Sequence, residues 1–173
     1  MDLHDFDSAS LYFDEPCPET VEALMVEAAE GYEDGSGELP LLKAHFLAPG
    51  QLTVLVGLYR FYFYKHRLAD ADCVAARAMA TSGERLGLPE DWSDADEIAL
   101  ACAASRSIGL LRFWLLALKA RAILALREGH LDKGRQMLDK LTELDQHDRL
   151  GVRPLIDVLN GLASEAESAA ATA

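Results

Sequence analysis

The first 42 residues contain no lysine and no arginine, yet they hold twelve carboxylates; the rest of the chain is almost balanced, with seventeen carboxylates against sixteen cations. The formal charge of −13 is therefore concentrated at the amino-terminal end. Binding a phosphate backbone needs a basic stripe, and an anionic bilayer repels a field of this sign, so nucleic acids and membranes are both disfavoured as partners. Cysteine is scarce. Cys17, Cys73 and Cys102 are widely spaced with no CxxC pair, which fits buried or idle thiols in a reducing compartment. No run approaches the roughly 18 consecutive apolar residues of a membrane span. The acidic start also lacks the basic region and apolar stretch of a secretory signal, so a cytoplasmic address is expected.

Residue sets that carry chemistry are sparse as well. His4, His45, His66, His130 and His147 are scattered, with no HExxH or paired spacing, and no phosphate-binding loop, GxGxxG or GxSxG is present. No nucleophile, base and orienting group can be placed together, so a non-enzymatic protein without cofactor or metal is expected.

What the chain has is apolar residues at helical spacing. At 173 residues, half of them apolar, it is one domain's worth with enough material for its own core. Periodicity and breakers predict helices at about 18–32, 37–47, 50–66, 69–86, 94–107, 109–128, 131–144 and 153–166. Residues 1–16, acidic but containing Phe6, Leu11, Tyr12 and Phe13, read as a mobile arm; 17–166 form one helical domain; 167–173 form an Ala-rich tail expected to fray. Gly87, Pro89 and Trp92 mark the main interruption, after which Ser93 or Asp94 is suited to cap the next helix.

Small residues recur at particular points of this pattern. Leu118, Ala122, Ala125, Gly129, Leu131, Gly134, Leu138 and Leu141 stand where two helices of a hairpin must approach closely, Ala122 and Gly134 having little or no side chain to hold the backbones apart. The order and spacing resemble the 34-residue tetratricopeptide repeat, although Gln146 stands where that repeat most often has proline. Upstream, Gly37, Leu41, Ala44 and Pro49 reproduce the second half of the pattern, with Val21, Leu24, Met25, Ala28 and Tyr32 as the stripe of the preceding helix. Leu55, Leu58, Tyr62, Leu68, Ala71, Ala75 and Ala78 suit a middle repeat, in which either Tyr59 replaces a small residue or the register shifts by two to bring Gly57 to the contact. The resemblance implies an all-α fold: a short right-handed tetratricopeptide-like solenoid of about three degenerate repeats, closed by a capping helix with Leu155, Val158, Leu159 and Leu162 on one face. The segment 94–110 fits no repeat and reads as an inserted helix or as an extension of the helix after it.

Such a solenoid implies a concave face that docks a peptide or helix of another protein. Its lining would come from Thr53, Val56, Arg60, Phe63 and Tyr64 in the middle repeat and from Leu116, Lys119, Ile123 and Arg127 in the third. Cationic heads beside apolar and aromatic side chains suit a partner with carboxylates and apolar residues. Mid-helix rings also fill cores, so the run Tyr59, Phe61, Tyr62, Phe63 and Tyr64 carries both readings. Arg112, Phe113 and Trp114 are likewise either an interface or the packing surface for 94–107. The implied role is that of an adaptor or client-specific chaperone. The chain also resembles, in size and charge, the chaperones of type III secretion systems. In Leu52–Leu68, Phe113–Ala122 and Asp145–Gly151 it resembles small bacterial repeat proteins encoded beside nitrogen-fixation genes, which implies a nitrogenase-related or metallocluster-assembly partner. Self-association as a homodimer is a third alternative.

Overall fold

The computed structural model describes residues 15–171, and among these it contains eight α-helices and no strand. They are α1 (Glu19–Glu30), α2 (Glu38–Leu47), α3 (Leu52–Tyr64), α4 (Leu68–Leu86), α5 (Glu97–Arg106), α6 (Ile108–Arg127), α7 (Leu131–Leu144) and α8 (Arg153–Ala171). Each helix expected from periodicity is present. The part of the expected arm in residues 1–14 lies outside the described residues, as do residues 172–173 of the tail; α8 runs past its expected end at 166.

Local chemistry explains where the helices stop. Gly129 has φ 83°, a left-handed conformation that costs a glycine little, and lets His130 N–H donate to Ala125 O at 2.8 Å, which satisfies a carbonyl at the end of α6. The cap of α5 is Asp96, whose carboxylate accepts from Ala99 N–H at 2.7 Å, rather than Ser93 or Asp94. Those two belong instead to a 3₁₀ turn, Trp92–Asp94, held by Asp91 accepting from Ser93 N–H at 2.9 Å. Ser and Asp are interchangeable as caps in sequence, and only the turn geometry selects among them.

Consecutive helices pack on one another from α1 to α4, then α4 passes over α5 to pack on α6, and α6, α7 and α8 continue the series. α5 is thus a separate helix beside the main series, which agrees with the inserted-helix reading of 94–110 and not with an extension of α6. α6 sits between α4 and α7 and contributes more buried residues than any other helix, with Phe113, Trp114, Leu118 and Leu124 essentially inaccessible. Each such side chain contributes about 1.5–3 kcal/mol through burial. Trp114 is therefore a core residue: its indole lies where a Cβ on Gly83 would meet Nε1 at 3.1 Å, while Arg112 is exposed.

Two glycines set the closeness of helix pairs. A Cβ on Gly134 of α7 would stand 3.1 Å from the carbonyl oxygen of Ala122 in α6 and would press into Leu126. A Cβ on Gly37, just before α2, would collide with the carbonyl oxygen of Ala28 in α1. The same small-residue device thus closes the first and the last pair, at the positions that the spacing marks.

Polar ties join elements distant in sequence. Asp72 of α4 accepts from Arg121 of α6 at 2.9 Å and from Lys133 of α7 at 3.3 Å. Burial acts to raise its pKa, but the hydrogen bond and charge of Arg121 and the charge of Lys133 outweigh it and hold the carboxyl below its ordinary value. At the other end, Glu15 accepts from Leu52 N–H at 3.1 Å and pairs with Arg85 at 2.6 Å, and Arg85 donates to Gly50 O at 2.7 Å. Glu15 thereby supplies the first turn of α3 with an acceptor that Gln51 does not provide. Glu15 and Pro16, the last two residues of the expected arm, are thus tied to the helices. The three cysteines are not buried: Cys73 and Cys102 are exposed and Cys17 is half-buried.

Candidate partner-binding groove

The largest concentration of aromatic side chains is on α3. Its period of 3.6 residues splits the run into a buried set, Tyr59, Phe61 and Tyr62, and an outward pair, half-buried Phe63 and exposed Tyr64. Both readings of the aromatic run are therefore realised, on different faces of one helix.

The outward face opens into a cavity of about 620 Å³ between α1, α2 and α3. Met25, Ala28 and Ala29 of α1 and Gly57 of α3 form apolar walls, Tyr32, Phe61 and Tyr64 the aromatic ones, and Arg60 brings the one guanidinium. Gly57 decides its depth, because a Cβ there would stand 2.8 Å from Met25 Cε and 3.1 Å from Leu41 Cδ2. Gly57 thus faces α1 and α2 rather than α4, and Tyr59 lies in the core.

The rings hold each other in edge-to-face arrangements: Tyr32 with Phe61 at 6.0 Å, Tyr32 with Tyr64 at 6.5 Å and Phe63 with Tyr64 at 5.6 Å between centroids. Cations lie over their faces. Lys65 Nζ is 4.9 Å from the Tyr32 centroid while donating to Glu33 O at 3.2 Å, and Arg127 of α6 covers Phe63 at 4.9 Å. The arrangement is a rigid aromatic surface edged by Arg60, Lys65 and Arg127, within a chain that is otherwise acidic. Just past α3, His66 turns the chain with φ 58°, and Arg67 pairs with Glu38 and Asp70, each at 2.7 Å, over the ring of Tyr62.

Of the residues expected on a concave face, the structure brings together Arg60, Phe63, Tyr64 and Arg127. Thr53 and Ile123 are half-buried. Val56, Leu116 and Lys119 are in the interior, at 6%, 3% and 8% exposure, so they are not part of an accessible lining. Lys119 is the instructive case: its stem is buried and its ammonium donates to Leu150 O at 2.7 Å, holding the connection between α7 and α8. A lysine at a helix-face position reads as solvent-directed from sequence because nothing local reveals a carbonyl 31 residues away. Met25, Ala28 and Tyr32 of the packing stripe also line the groove, joined there by Ala29 from outside the stripe.

These helices define an all-helical protein in which no helix among the described residues is long and apolar enough to cross a membrane. The chain is 55% identical over 159 residues, covering 92% of its own length and 89% of the relative, to the "uncharacterized 19.8 kDa protein in nifW 5′ region" of Azotobacter chroococcum mcd 1, and it belongs to that family. No family model matches it, and no solved structure does.

Proposed function

We propose that this protein is a non-catalytic interaction module, a tetratricopeptide-like adaptor or client-specific chaperone that docks a peptide or helix of another protein against the α1–α3 cavity and the adjoining Phe63–Arg127 surface. The observation that carries this reading is the joining of a preformed apolar cavity to three cations. Apolar side chains of the partner would fill the space between Met25, Gly57 and Tyr64, and its carboxylates would meet Arg60 and Arg127. Rigid rings lose little entropy on binding, so such a surface suits modest-sized ligands. The stacked Gly37–Ala28 and Gly134–Ala122 approaches support the repeat character. The relative's position in a nifW 5′ region supports a second, narrower reading, in which the docked protein takes part in nitrogenase-related metalloprotein assembly.

The test is capture of proteins from host lysate on the immobilised chain, compared with the Arg60→Glu/Arg127→Glu variant. A specific partner should be lost by the variant while its circular dichroism stays unchanged, and affinity for that partner should fall by about 1.5 to 4 orders of magnitude, for about 1–3 kcal/mol from each of the two lost charged contacts. Equal retention by both proteins would refute the groove as the docking site.

A further inference from the structure

We infer that the cavity between α4, the 88–95 connection and α6 is a second docking site, which takes a basic segment of a partner protein, with lysine or arginine side chains on an extended backbone. The cavity measures about 1070 Å³, and four carboxylates, Glu84 of α4 with Glu90, Asp91 and Asp94 of the connection, stand around it against the single guanidinium of Arg121. Arg121 is already held by Asp72 at 2.9 Å. Beyond residue 42 carboxylates and cations are almost equal in number, so this is a local excess, separate from the amino-terminal one. Glu84, Glu90 and Asp94 are exposed and make no side-chain hydrogen bond or ion pair among the described residues.

Two tryptophans narrow the choice of cation. Trp114, only 2% exposed, lines this cavity, and its Nε1–H has no acceptor among the described residues. Gly83 beside it brings no side chain to cover that edge of the indole. A buried indole N–H ordinarily finds an acceptor, so the occupant carries an acceptor as well as positive charge. A free polyamine offers donors only. The carboxylates do not converge on a single ion either, since among the described residues no three His, Cys, Asp or Glu side chains come together as metal ligands. A basic peptide has both features: a backbone carbonyl to accept from Trp114, and ammonium or guanidinium groups to pair with the rim and lie against half-buried Trp92. Its aliphatic stems would cover Met79 and Leu88. The volume is at the upper limit of the roughly 300–1,000 Å³ usual for small-molecule pockets, which suits an extended segment with more than one cation. The cation-edged α1–α3 cavity would repel such a segment, so the two sites select opposite charges.

Trp92 and Trp114 are the two tryptophans of the chain and both line this cavity, so their emission reports on it directly. Titrating the full chain with the acetylated and amidated peptide Ala-Lys-Ala-Arg-Ala-Lys-Ala should give a saturable change in tryptophan fluorescence, and the same peptide with glutamate at its three basic positions should give none. The Glu84→Gln/Glu90→Gln/Asp94→Asn variant, which spares the turn-forming Asp91, should bind the basic peptide at least about tenfold more weakly with unchanged circular dichroism. Glu27→Gln/Glu30→Gln/Glu33→Gln removes as many exposed charges from the acidic end, and should leave the affinity within about twofold. Spermidine, which has no acceptor for Trp114, should bind at least about tenfold more weakly than the peptide. The absence of a saturable change, equal weakening by the two triple variants, or spermidine matching the peptide would each overturn the inference while leaving the groove proposal standing.

Discussion

Replacing Gly37 by alanine separates two explanations of why a glycine is there. Its backbone, φ −65° and ψ −14°, lies in the right-handed helical region where alanine is at ease. On conformational grounds alone the substitution should stabilise the protein by about 0.4–1 kcal/mol, by restricting the unfolded chain. The surroundings oppose this. The added methyl would collide with the carbonyl oxygen of Ala28 and stand 3.2 Å from the carbonyl carbons of Ala28 and Gly31. All three are backbone atoms, which cannot rotate aside as a side-chain tip can, so α1 and α2 must part. Overpacking of that kind costs about 1–3 kcal/mol, leaving a net loss of about 1–2 kcal/mol. For a chain of this size the melting midpoint should drop by about 2–8 °C. Gly161→Ala in α8 is the control, because nothing lies within 4 Å of its built Cβ; helicity there should rise slightly, with no loss of stability. Thermal denaturation followed by circular dichroism reads both. A Gly37→Ala midpoint equal to or above that of the wild type would refute the close-approach reasoning for this pair and weaken it for Gly134.

Two further perturbations probe buried polar ties. Asp72→Asn removes the charge that Arg121 and Lys133 surround; because the folded-state pKa of Asp72 is lowered, its stabilisation is present above the unfolded carboxylate value near pH 4 and fades as the pH falls through the folded one. Denaturant titrations should show the variant less stable at pH 7, with the gap closing on acidification; a constant gap would show that charge is not the cause. Lys119→Met keeps the buried stem but strips Leu150 O of its donor, so about 1–3 kcal/mol should be lost and amide exchange should quicken around residues 146–152. Unchanged exchange there would show that the lysine does not hold this connection.

Helix order was legible because the breakers are unambiguous: Gly87 with Pro89, Gly129 with His130, and the Pro49–Gly50 pair each end an apolar periodic run. Ala122 and Gly134 were legible for a different reason, since close approach of two backbones leaves few choices of residue. The site was only half readable. Arg60, Phe63, Tyr64 and Arg127 share a surface, but Val56, Leu116 and Lys119 lie inside, because the width of the buried stripe depends on what packs from neighbouring helices. α6 is covered by both α4 and α7, and this widens its buried face beyond what its own sequence states. The α1 side of the cavity was missed for the converse reason: Met25 and Tyr32 belong to a stripe that packs at one edge and lies open at the other.

The clasp made by Glu15 changes how the molecule can come apart. In a linear stack each end pair touches one neighbour and is free to peel away on its own, giving exchange-competent openings well below the global unfolding free energy. Here the segment preceding α1 is fastened to Leu52 and Arg85, so α1 and α2 form a loop closed at both ends on the middle of the protein. Opening the first hairpin then requires releasing the amino-terminal turn of α3 as well. Native-state exchange should report α1, α2 and the start of α3 as one cooperative unit, and the cavity they enclose should persist or vanish as a whole.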